Sequence, residues 1–576
     1  MYDYDKMSRL TQVSGKNYLI DYTFGLIYNQ DGTVQKASGN GVQSAYTYDD
    51  HKRVTRITTT AGTHMRNMTT SFTYQGGMVQ SDGPTTTGRI SAITYSAAGN
   101  SDKLTFTYDA NGNILTEKLN NAAYHSYVYD GLNQLVRENN VAAGKTWVYT
   151  YDNAGNILSK KEYAYTTATD LSSLTPVDTI IYTYGDSEWK DLLTAYDGQA
   201  ITYDAIGNPI NYRGRQHYWS GRDLNTVVVG SAGAVQFAYN ASGQRISKSY
   251  AGSTTKFYYD DSGNLIGMRQ NYDQPIKFQV NYATGEIDGF TQGTNTYWYR
   301  KNQQGDVTGI FSINYGNTAL FVEYEYDAWG NVISITGDGA STIGVTNPIR
   351  YRGYFYDTET GYYYLNSRYY DPVTHRFLNG DVYASTGQGT LGSNMFVYCL
   401  NNPVNGIDLN GETTYSVGLN FSAFLLGGVS YSIFISWDDS GNLVLQTSEA
   451  DVFRKKKGGV FGLASIGTSL FASRTELDTV YDLEGWAQST GGPVGIFGGE
   501  VITNYDTGEK IGDSISVGKS VGLDVHTTIA ETETITVIKT APSNETSPKQ
   551  NETTSKKESS PTTKKTKKIR GYVMYW

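Results

Sequence analysis

The sequence predicts an all-β protein built from stacked hairpins, and three observations carry that prediction. Tyr 50 and Gly 63 stand against Pro 11 and Cys 1 in 576 residues, a balance suited to strands and tight corners. A degenerate motif recurs from Met1 to about Asn347: an aromatic strand, Tyr-Asp, a small residue, Gly-Asn, and a strand opening with an aliphatic. After Gly411 this motif stops and a period-two alternation replaces it, the mark of half-buried strands. A chain of this length holds more than one domain or one large repeat array. The expected division is residues 1–347 as repeats, 348–412 as a core, 413–540 as a C-terminal β domain and 541–576 as a tail.

Clear copies of the repeat are YTYDDHKRVTRI (46 to 57), FTYDANGNILTEK (106 to 118), YTYDNAGNILSKK (149 to 161), ITYDAIGNPINY (201 to 212) and YEYDAWGNVISI (324 to 335). Tyr108, Tyr129 and Tyr151 fall 21 and 22 residues apart, and a fixed pitch signals stacked supersecondary units. The pairs Gly112-Asn113, Gly155-Asn156, Gly207-Asn208, Gly263-Asn264 and Gly330-Asn331 supply positive-φ corners. The aspartate beside each tyrosine is suited to hydrogen-bond the loop backbone as an Asx cap. One unit cannot bury its aromatic face alone, whereas a stack of units lets neighbouring rings cover each other. The tyrosines then read first as the packing layer between strands. The sharper alternative makes them stacking platforms for glycans.

The stretch Ile349 to Glu412 differs from the repeats. It holds Tyr351, Tyr354, Tyr356, Tyr362, Tyr363, Tyr364, Tyr369 and Tyr370 between turn signals at Thr358 to Gly361, Asp371-Pro372, Asn379 to Asp381, Asn401 to Pro403 and Asn410-Gly411. So dense a set of tyrosines does not fit an ordinary aliphatic core. The marks Arg350-Tyr351-Arg352-Gly353, Tyr354 to Asp357, Gly361, Tyr364, Ser367 to Pro372, Arg376-Phe377, Asp381 and Asn401-Asn402-Pro403 closely resemble the core domain of the rearrangement-hotspot (Rhs) family, which closes a tyrosine–aspartate repeat shell. The resemblance implies a spirally wound shell for the repeats. It also implies the C-terminal part of a polymorphic toxin or carrier, whose shell and core present a variable effector. The other class of reading is a cell-surface or wall-associated repeat protein with a non-toxic C-terminal β domain.

The same resemblance implies an aspartyl self-cleavage site. Asp381 matches the first aspartate of the family and Asp408 the second, with Arg376 or Arg368 as the basic neighbour. Two close carboxyls suit such work because mutual repulsion leaves one acid and one base. The cut is expected just after Gly411-Glu412 and is single-turnover. This chain departs from the family at both segments: Asp381-Val382-Tyr383 and Asp408-Leu409-Asn410-Gly411-Glu412 each lack the proline. Turn caps are the plainer role for both aspartates.

Beyond the core, Tyr415, Val417, Leu419, Phe421, Ala423 and Leu425 alternate with small polar residues, and Val429 to Trp437 resumes the register. A turn at Asp438 to Asn442 leads to Leu443 to Gln446. Further strands are expected over Val460 to Ser473, Val494 to Thr503, Ile511 to Thr528 and Glu533 to Lys539, with a turn at Asn504 to Gly508. This pattern predicts an antiparallel meander closed into a barrel. A charge-free opening from Thr413 to Trp437 also suits a membrane-facing strand pair. His526, followed by Glu531, Glu533 and Lys539, has no partner at a motif spacing, so an enzymatic payload has little support. From Ala541 a Ser/Thr/Lys/Glu/Pro-rich tail with eight Lys/Arg and three Glu, net charge +5, is expected to be disordered and basic.

A net charge of −10 argues against general nucleic-acid affinity for the shell. His51, His64, His125 and His217 lack ligand spacing, so no metal and no cofactor is expected. Cys399 rules out an internal disulfide framework and reads as a small core residue. The N-terminus shows no export signal and begins inside a repeat, so the chain is expected to be part of a longer secreted or surface product. A cognate immunity protein, surface glycans or a membrane are the expected partners.

Overall fold

A computed structural model describes residues 1–411 apart from 18–19, 62–66, 81–82, 98, 315–316 and 383–390. Beyond them it describes the strands Thr414–Ser416, Val429–Trp437, Asn442–Asp451, Ser469–Thr475, Gly485–Val494, Phe497–Asn504, Lys510–Gly518, His526–Lys539 and Arg570–Tyr575. The chain forms two compact units, Met1–Phe421 and Ser422–Trp576.

The first unit is all β, as predicted. A 17-stranded sheet runs from Tyr2–Tyr4 to Gln199–Ala200, and a 14-stranded sheet from Thr202–Tyr203 to Val332–Thr336. Successive strands pair antiparallel along both, as in Asn100–Tyr108 with Ile114–Leu119 and Ala122–Tyr129 with Leu135–Asn140. The Tyr-Asp-x-x-Gly-Asn type of corner obeys one rule. Asp152 Oδ1 accepts the N–H groups of Ala154 at 2.9 Å and Asn156 at 2.8 Å, while its Oδ2 accepts Asn156 Nδ2 at 3.0 Å. Asp204, Asp260 and Asp327 repeat that set on Asn208, Asn264 and Asn331. The carboxylate thereby satisfies the donors of a five-residue turn whose fourth residue, Gly155, sits at φ +78°.

The repeat tyrosines do more than pack. Tyr48 donates its hydroxyl to the Val34 carbonyl at 2.7 Å, Tyr129 to Ile114 at 2.7 Å, Tyr239 to Leu224 at 2.9 Å and Tyr326 to Val307 at 2.9 Å. Each hydroxyl thus reaches a carbonyl 14 to 19 residues back and fastens one hairpin to its predecessor. Phenylalanine would bury the same ring but leave that carbonyl unpaired.

Residues 349–411 form a tyrosine-lined core. Phe355–Asp357, Tyr362–Tyr364, Tyr369–Asp371 and Arg376–Phe377 make a four-stranded sheet. Tyr362, Tyr363, Tyr370 and Tyr398 have no exposed surface, and the Tyr370 and Tyr398 rings stack at 4.1 Å. Buried phenols need partners, and the corner of the last repeat supplies three. Tyr351, Tyr370 and Tyr363 donate to the carbonyls of Ala328, Trp329 and Gly330 at 2.9, 2.8 and 2.9 Å. A Cβ on Gly330 would fall 2.6 Å from the Tyr351 ring, so the corner fits only with glycine.

Charged latches tie the core to the array. Arg245, 1% exposed, pairs with Asp357 at 2.5 Å inside a ring of Phe237, Phe257, Phe355 and Tyr364. Arg213 pairs with Asp371 at 2.9 Å and Arg352 with Asp306 at 3.0 Å. Amides do the rest: Asn401 Nδ2 donates to Gln134 Oε1 at 2.9 Å and to the Gly155 carbonyl at 2.7 Å, and Asn394 Nδ2 donates to Asn156 Oδ1 at 2.9 Å.

The second unit is an eight-stranded closed barrel. Its order is Val429–Trp437, Asn442–Asp451, His526–Lys539, Gly485–Val494, Phe497–Asn504, Lys510–Gly518, Ser469–Thr475 and Arg570–Tyr575, closing on the first strand. The barrel agrees with the alternation, but three elements differ from the sequence reading. Gly485–Val494 is a strand that its glycines concealed, and the expected span Ile511 to Thr528 divides into Lys510–Gly518 and the start of His526–Lys539. Arg570–Tyr575, expected in the disordered tail, is a strand paired with both Val429–Trp437 and Ser469–Thr475. Those two strands would otherwise leave open edges, and Tyr572, Val573, Met574 and Tyr575 have the β propensity to fill the gap. Residues 541–569, with most of that tail, lie outside the described residues, as do the expected strand residues 417–425 and the turns 438–441 and 505–509.

Candidate functional site

The core ends in a hairpin. Gly406–Asp408 pairs antiparallel with Thr414–Ser416, Asp408 standing opposite Thr414. The turn between them carries Leu409, Asn410 and Gly411; Glu412 and Thr413 lie outside the described residues. On the neighbouring element, Ser367 and Arg368 follow the loop that leaves Tyr362–Tyr364.

Arg368 brings the two sequence-predicted aspartates together. Its Nη2 lies 2.8 Å from Asp381 Oδ2 and 3.6 Å from Asp408 Oδ2. All three side chains are nearly dry, at 5%, 5% and 2% exposure. The planar guanidinium rests on the Phe377 ring at 3.6 Å, which shields that face from water. Its Nη1 donates to the Met395 carbonyl at 3.1 Å, and the N–H of Asp381 donates to that same carbonyl at 2.8 Å. Charges held in so little water interact far more strongly than on a surface.

The turn itself is tied to this arginine. Gly411 N–H donates to Asp408 Oδ1 at 2.8 Å, and Arg368 Nε donates to the Gly411 carbonyl. Asp408 N–H in turn donates to the Tyr354 hydroxyl at 3.0 Å. Burial pushes the nearby Cys399 thiol well above the ordinary range, and the Asp408 carboxylate adds to it; Cys399 is a buried core residue, as the sequence predicts.

Arg376, the other basic candidate, sits elsewhere. It donates to Asn156 Oδ1 at 3.2 Å, the Tyr184 hydroxyl at 3.1 Å and the Asp191 carbonyl at 2.6 Å. It is a latch to a repeat corner. The sequence leaves the two arginines equivalent because both sit beside aromatic residues in short strands; only the fold separates them.

A second polar cluster escaped the sequence. His125 lies between Glu117, at 3.1 Å from Nδ1, and Glu325, at 2.9 Å from Nε2. Together with Arg300 and Gln304 they line a cavity of about 60 Å³. Burial opposes charge on the imidazole, yet the two carboxylates carry its pKa up to about 10. Among the described residues no group of three His, Cys, Asp or Glu has metal-holding geometry. The partners of His125 are 8 and 200 residues away, so no motif spacing could have shown them.

A continuous array of Tyr-Asp hairpins closed by a tyrosine core defines a YD-repeat shell of the Rhs type. A model of the Teneurin YD-shell family matches residues 85–404, more than half of the chain, and the chain belongs to that family. The tRNA3(Ser)-specific nuclease WapA of Bacillus spizizenii is 33% identical over 301 residues, which are 51% of this chain and 12% of that protein. The tRNA nuclease WapA of Bacillus subtilis strain 168 is 32% identical over 301 residues, with the same shares. The double-stranded DNA deaminase toxin A of Burkholderia cenocepacia is 24% identical over 338 residues, 51% of this chain and 23% of that one. The crystal structure of TcdB2-TccC3-Cdc42 superposes with a TM-score of 0.49 at 17% identity, over 71% of this chain and 23% of that chain. The chain thus spans 12% to 23% of the length of these proteins.

Proposed function

We propose that this chain is the shell, core and payload end of a longer, secreted or surface-delivered polymorphic toxin of the Rhs type, which frees its payload by a single aspartyl self-cleavage. The observation that carries the reading is the convergence of Asp381, Asp408 and Arg368 on the turn through Gly411. That turn is the last part of the core before a separate barrel begins. Two carboxyls beside one guanidinium suit a cut in which one acts as base on water and the other as acid on the leaving amine. The family match ends at residue 404, ahead of the barrel, as expected of a carrier with an exchangeable end.

The payload acts by binding or by membrane insertion. Its one histidine, His526, and its lack of cysteine leave little for nucleophilic or zinc chemistry, while a closed eight-stranded barrel suits either role. The activities of the nuclease and deaminase relatives belong to those proteins. A cognate immunity protein is the partner this reading requires. Adhesion through glycans has weaker support, because repeat tyrosines such as Tyr129 and Tyr151 spend their rings on packing and their hydroxyls on neighbouring hairpins.

The experiment is expression of the full chain and of residues 413–576, in cytoplasm and in periplasm, alongside dye release from anionic liposomes. Growth arrest by the short segment, relieved by a small neighbouring gene product, supports the toxin. Nuclease or transferase activity that His526→Ala abolishes, with intact liposomes, would make the payload an enzyme.

A further inference from the structure

Lys160 and Asp327 meet from different sheets. Lys160 lies on Ile157–Ala164 of the 17-stranded sheet, and Asp327 follows Asn317–Tyr326 of the 14-stranded one. Lys160 Nζ stands 4.0 Å from Asp327 Oδ2, the side chains 13% and 2% exposed. Among the described residues, Asp327 is the only one of the corner aspartates Asp152, Asp204, Asp260 and Asp327 with a lysine so close. Around the ammonium stand the Trp147 ring, 5.3 Å away, and His375 Nε2 at 3.4 Å. An ammonium only donates, so Nε2 is the acceptor and the Nδ1 proton points to the Tyr182 hydroxyl at 3.3 Å. Burial, and then the charge of Lys160, hold the imidazole well below its ordinary range, so it stays neutral and aims the nitrogen. Burial holds the Asp327 carboxyl above its ordinary range, although Lys160 pulls the other way. Glu138, with no exposed surface, accepts the N–H of the adjoining Ala328 at 3.0 Å. Burial and then Asp327 push its carboxyl up to about 8, which keeps a proton on it at neutral pH.

We propose that Lys160 and Asp327 condense into an intramolecular isopeptide bond, with Glu138 as the proton carrier, so that the two large sheets are joined covalently. The inference is independent of the self-cleavage reading. In a dry pair the ammonium proton passes to Asp327 Oδ2, leaving an amine and an acid. Nζ then adds to the carboxyl carbon. The negative charge that develops falls on Oδ1, which already accepts the N–H groups of Trp329 at 3.0 Å and Asn331 at 2.9 Å. Two preorganised donors at that oxygen are what such an addition needs. Oδ2 leaves as water with the proton of Glu138, and the nitrogen returns a proton to Glu138. One C–N bond forms, one C–O bond breaks, and nothing is oxidised or reduced. Holding both groups in one place makes the step unimolecular. The corner survives it, because Oδ1 keeps both backbone donors as the new carbonyl oxygen. Asn331 Nδ2 loses Oδ2 but still donates to the Pro372 carbonyl at 2.6 Å.

The test is the intact mass of the purified chain, or of the piece carrying residues 1–411 if the chain is cut. The expected mass is one water below the sequence value, and a tryptic digest should contain a branched peptide joining Lys160 to Asp327. Lys160→Arg keeps a cation beside Asp327 but offers no such amine, so its mass should equal the sequence value. Followed from a short pulse of expression, Glu138→Gln should join on the order of a hundredfold more slowly, the usual worth of one placed acid–base group. A wild-type chain at its full sequence mass and without the branched peptide overturns the inference, whatever the variants do. So does a water loss that persists in Lys160→Arg, or Glu138→Gln joining at the wild-type rate.

Discussion

Asn402 donates its side-chain amide to Asn113 Oδ1 at 2.9 Å across 289 residues of sequence. Asn113 is the fourth residue after Asp109 in a repeat corner, so the core reads the array at a feature that recurs along it, as at Asn156, Asn208, Asn264 and Asn331. Asn402 is itself oriented by Asn405, whose Nδ2 donates to its Oδ1 at 2.7 Å. Asn402→Asp would set a carboxylate against the Asn113 oxygen and leave an acceptor facing an acceptor. Denaturant titration should register a loss of about 1–3 kcal/mol, the usual penalty for an unpaired buried polar group.

Arg245 and Asp357 form the driest ion pair in the described residues, at 1% and 0% exposure. Removing one member of such a pair costs about 3–5 kcal/mol, since the other charge is left buried. Arg245→Met is expected at the low end of that range, because Lys248 Nζ still lies 3.1 Å from Asp357 Oδ1. The double variant Arg245→Met with Asp357→Asn should recover part of the loss. A double variant no more stable than the single one would place the cost in the aromatic ring around Arg245 instead.

His217 lies between the Arg215 carbonyl and the Tyr362 hydroxyl, both at 3.1 Å. Burial pulls its pKa down to about 4. A depressed histidine stabilises the fold above its ordinary value of 6.5 and loses that contribution as pH falls toward 4. The loss amounts to roughly 3 kcal/mol. Thermal melts of wild type and His217→Gln should therefore diverge near neutrality and converge toward pH 4. His375, stacked on Trp329 at 4.6 Å and also depressed by burial, acts in the same direction.

Glu138 works on the opposite limb. Burial, and then the neighbouring Asp327, push its pKa up to about 8. Its contribution is full below the ordinary value of 4.5 and disappears as pH rises through 8. Stability should fall across that interval by up to about 1.4 kcal/mol per pH unit. Glu138→Gln keeps an oxygen for the Ala328 N–H, which the native carboxyl accepts at 3.0 Å. It should flatten that slope, and a slope unchanged by the substitution would assign it to another group.

The two candidate arginines, Arg368 and Arg376, should separate cleanly in a processing assay. Asp381→Asn, Asp408→Asn and Arg368→Gln are expected to leave the full chain uncut. Arg376→Gln should lower the melting temperature but still permit the cut, because its partners are Asn156, Tyr184 and Asp191. Loss of cutting in a well-folded Arg376→Gln chain would return Arg376 to the site.

Much of the array was legible because its rule is local. Asp109 caps Asn113 four residues on, and the glycine at Gly112 takes the positive φ that the corner needs. The tyrosine hydroxyls were not legible: a ring looks the same in a sequence whether its oxygen reaches Ile114 or solvent. At the junction, the family positions of Asp381 and Asp408 could be read from the sequence, but that Arg368 and not Arg376 lies beside both depends on the fold. His125 and its two glutamates were hidden for the same reason, since Glu325 arrives from the other large sheet. In the barrel, Arg570–Tyr575 went unread because its composition was averaged into a 36-residue tail in which 18 residues are Ser, Thr or Lys, while its pairing partners lie about a hundred residues or more away.

The short ladder between Gly406–Asp408 and Thr414–Ser416 bears on what scission achieves. It straddles the turn, so a break anywhere between Gly411 and Thr414 severs the covalent path and leaves the backbone hydrogen bonds on either side intact. The new N-terminal end remains clipped to the strand that carries Asp408. Under the proposed self-cleavage, cutting would leave the two ends joined through this ladder, and their separation becomes a distinct mechanical event: three residue pairs must be peeled open one after another, a task for pulling force or unfolding, not for the chemistry itself.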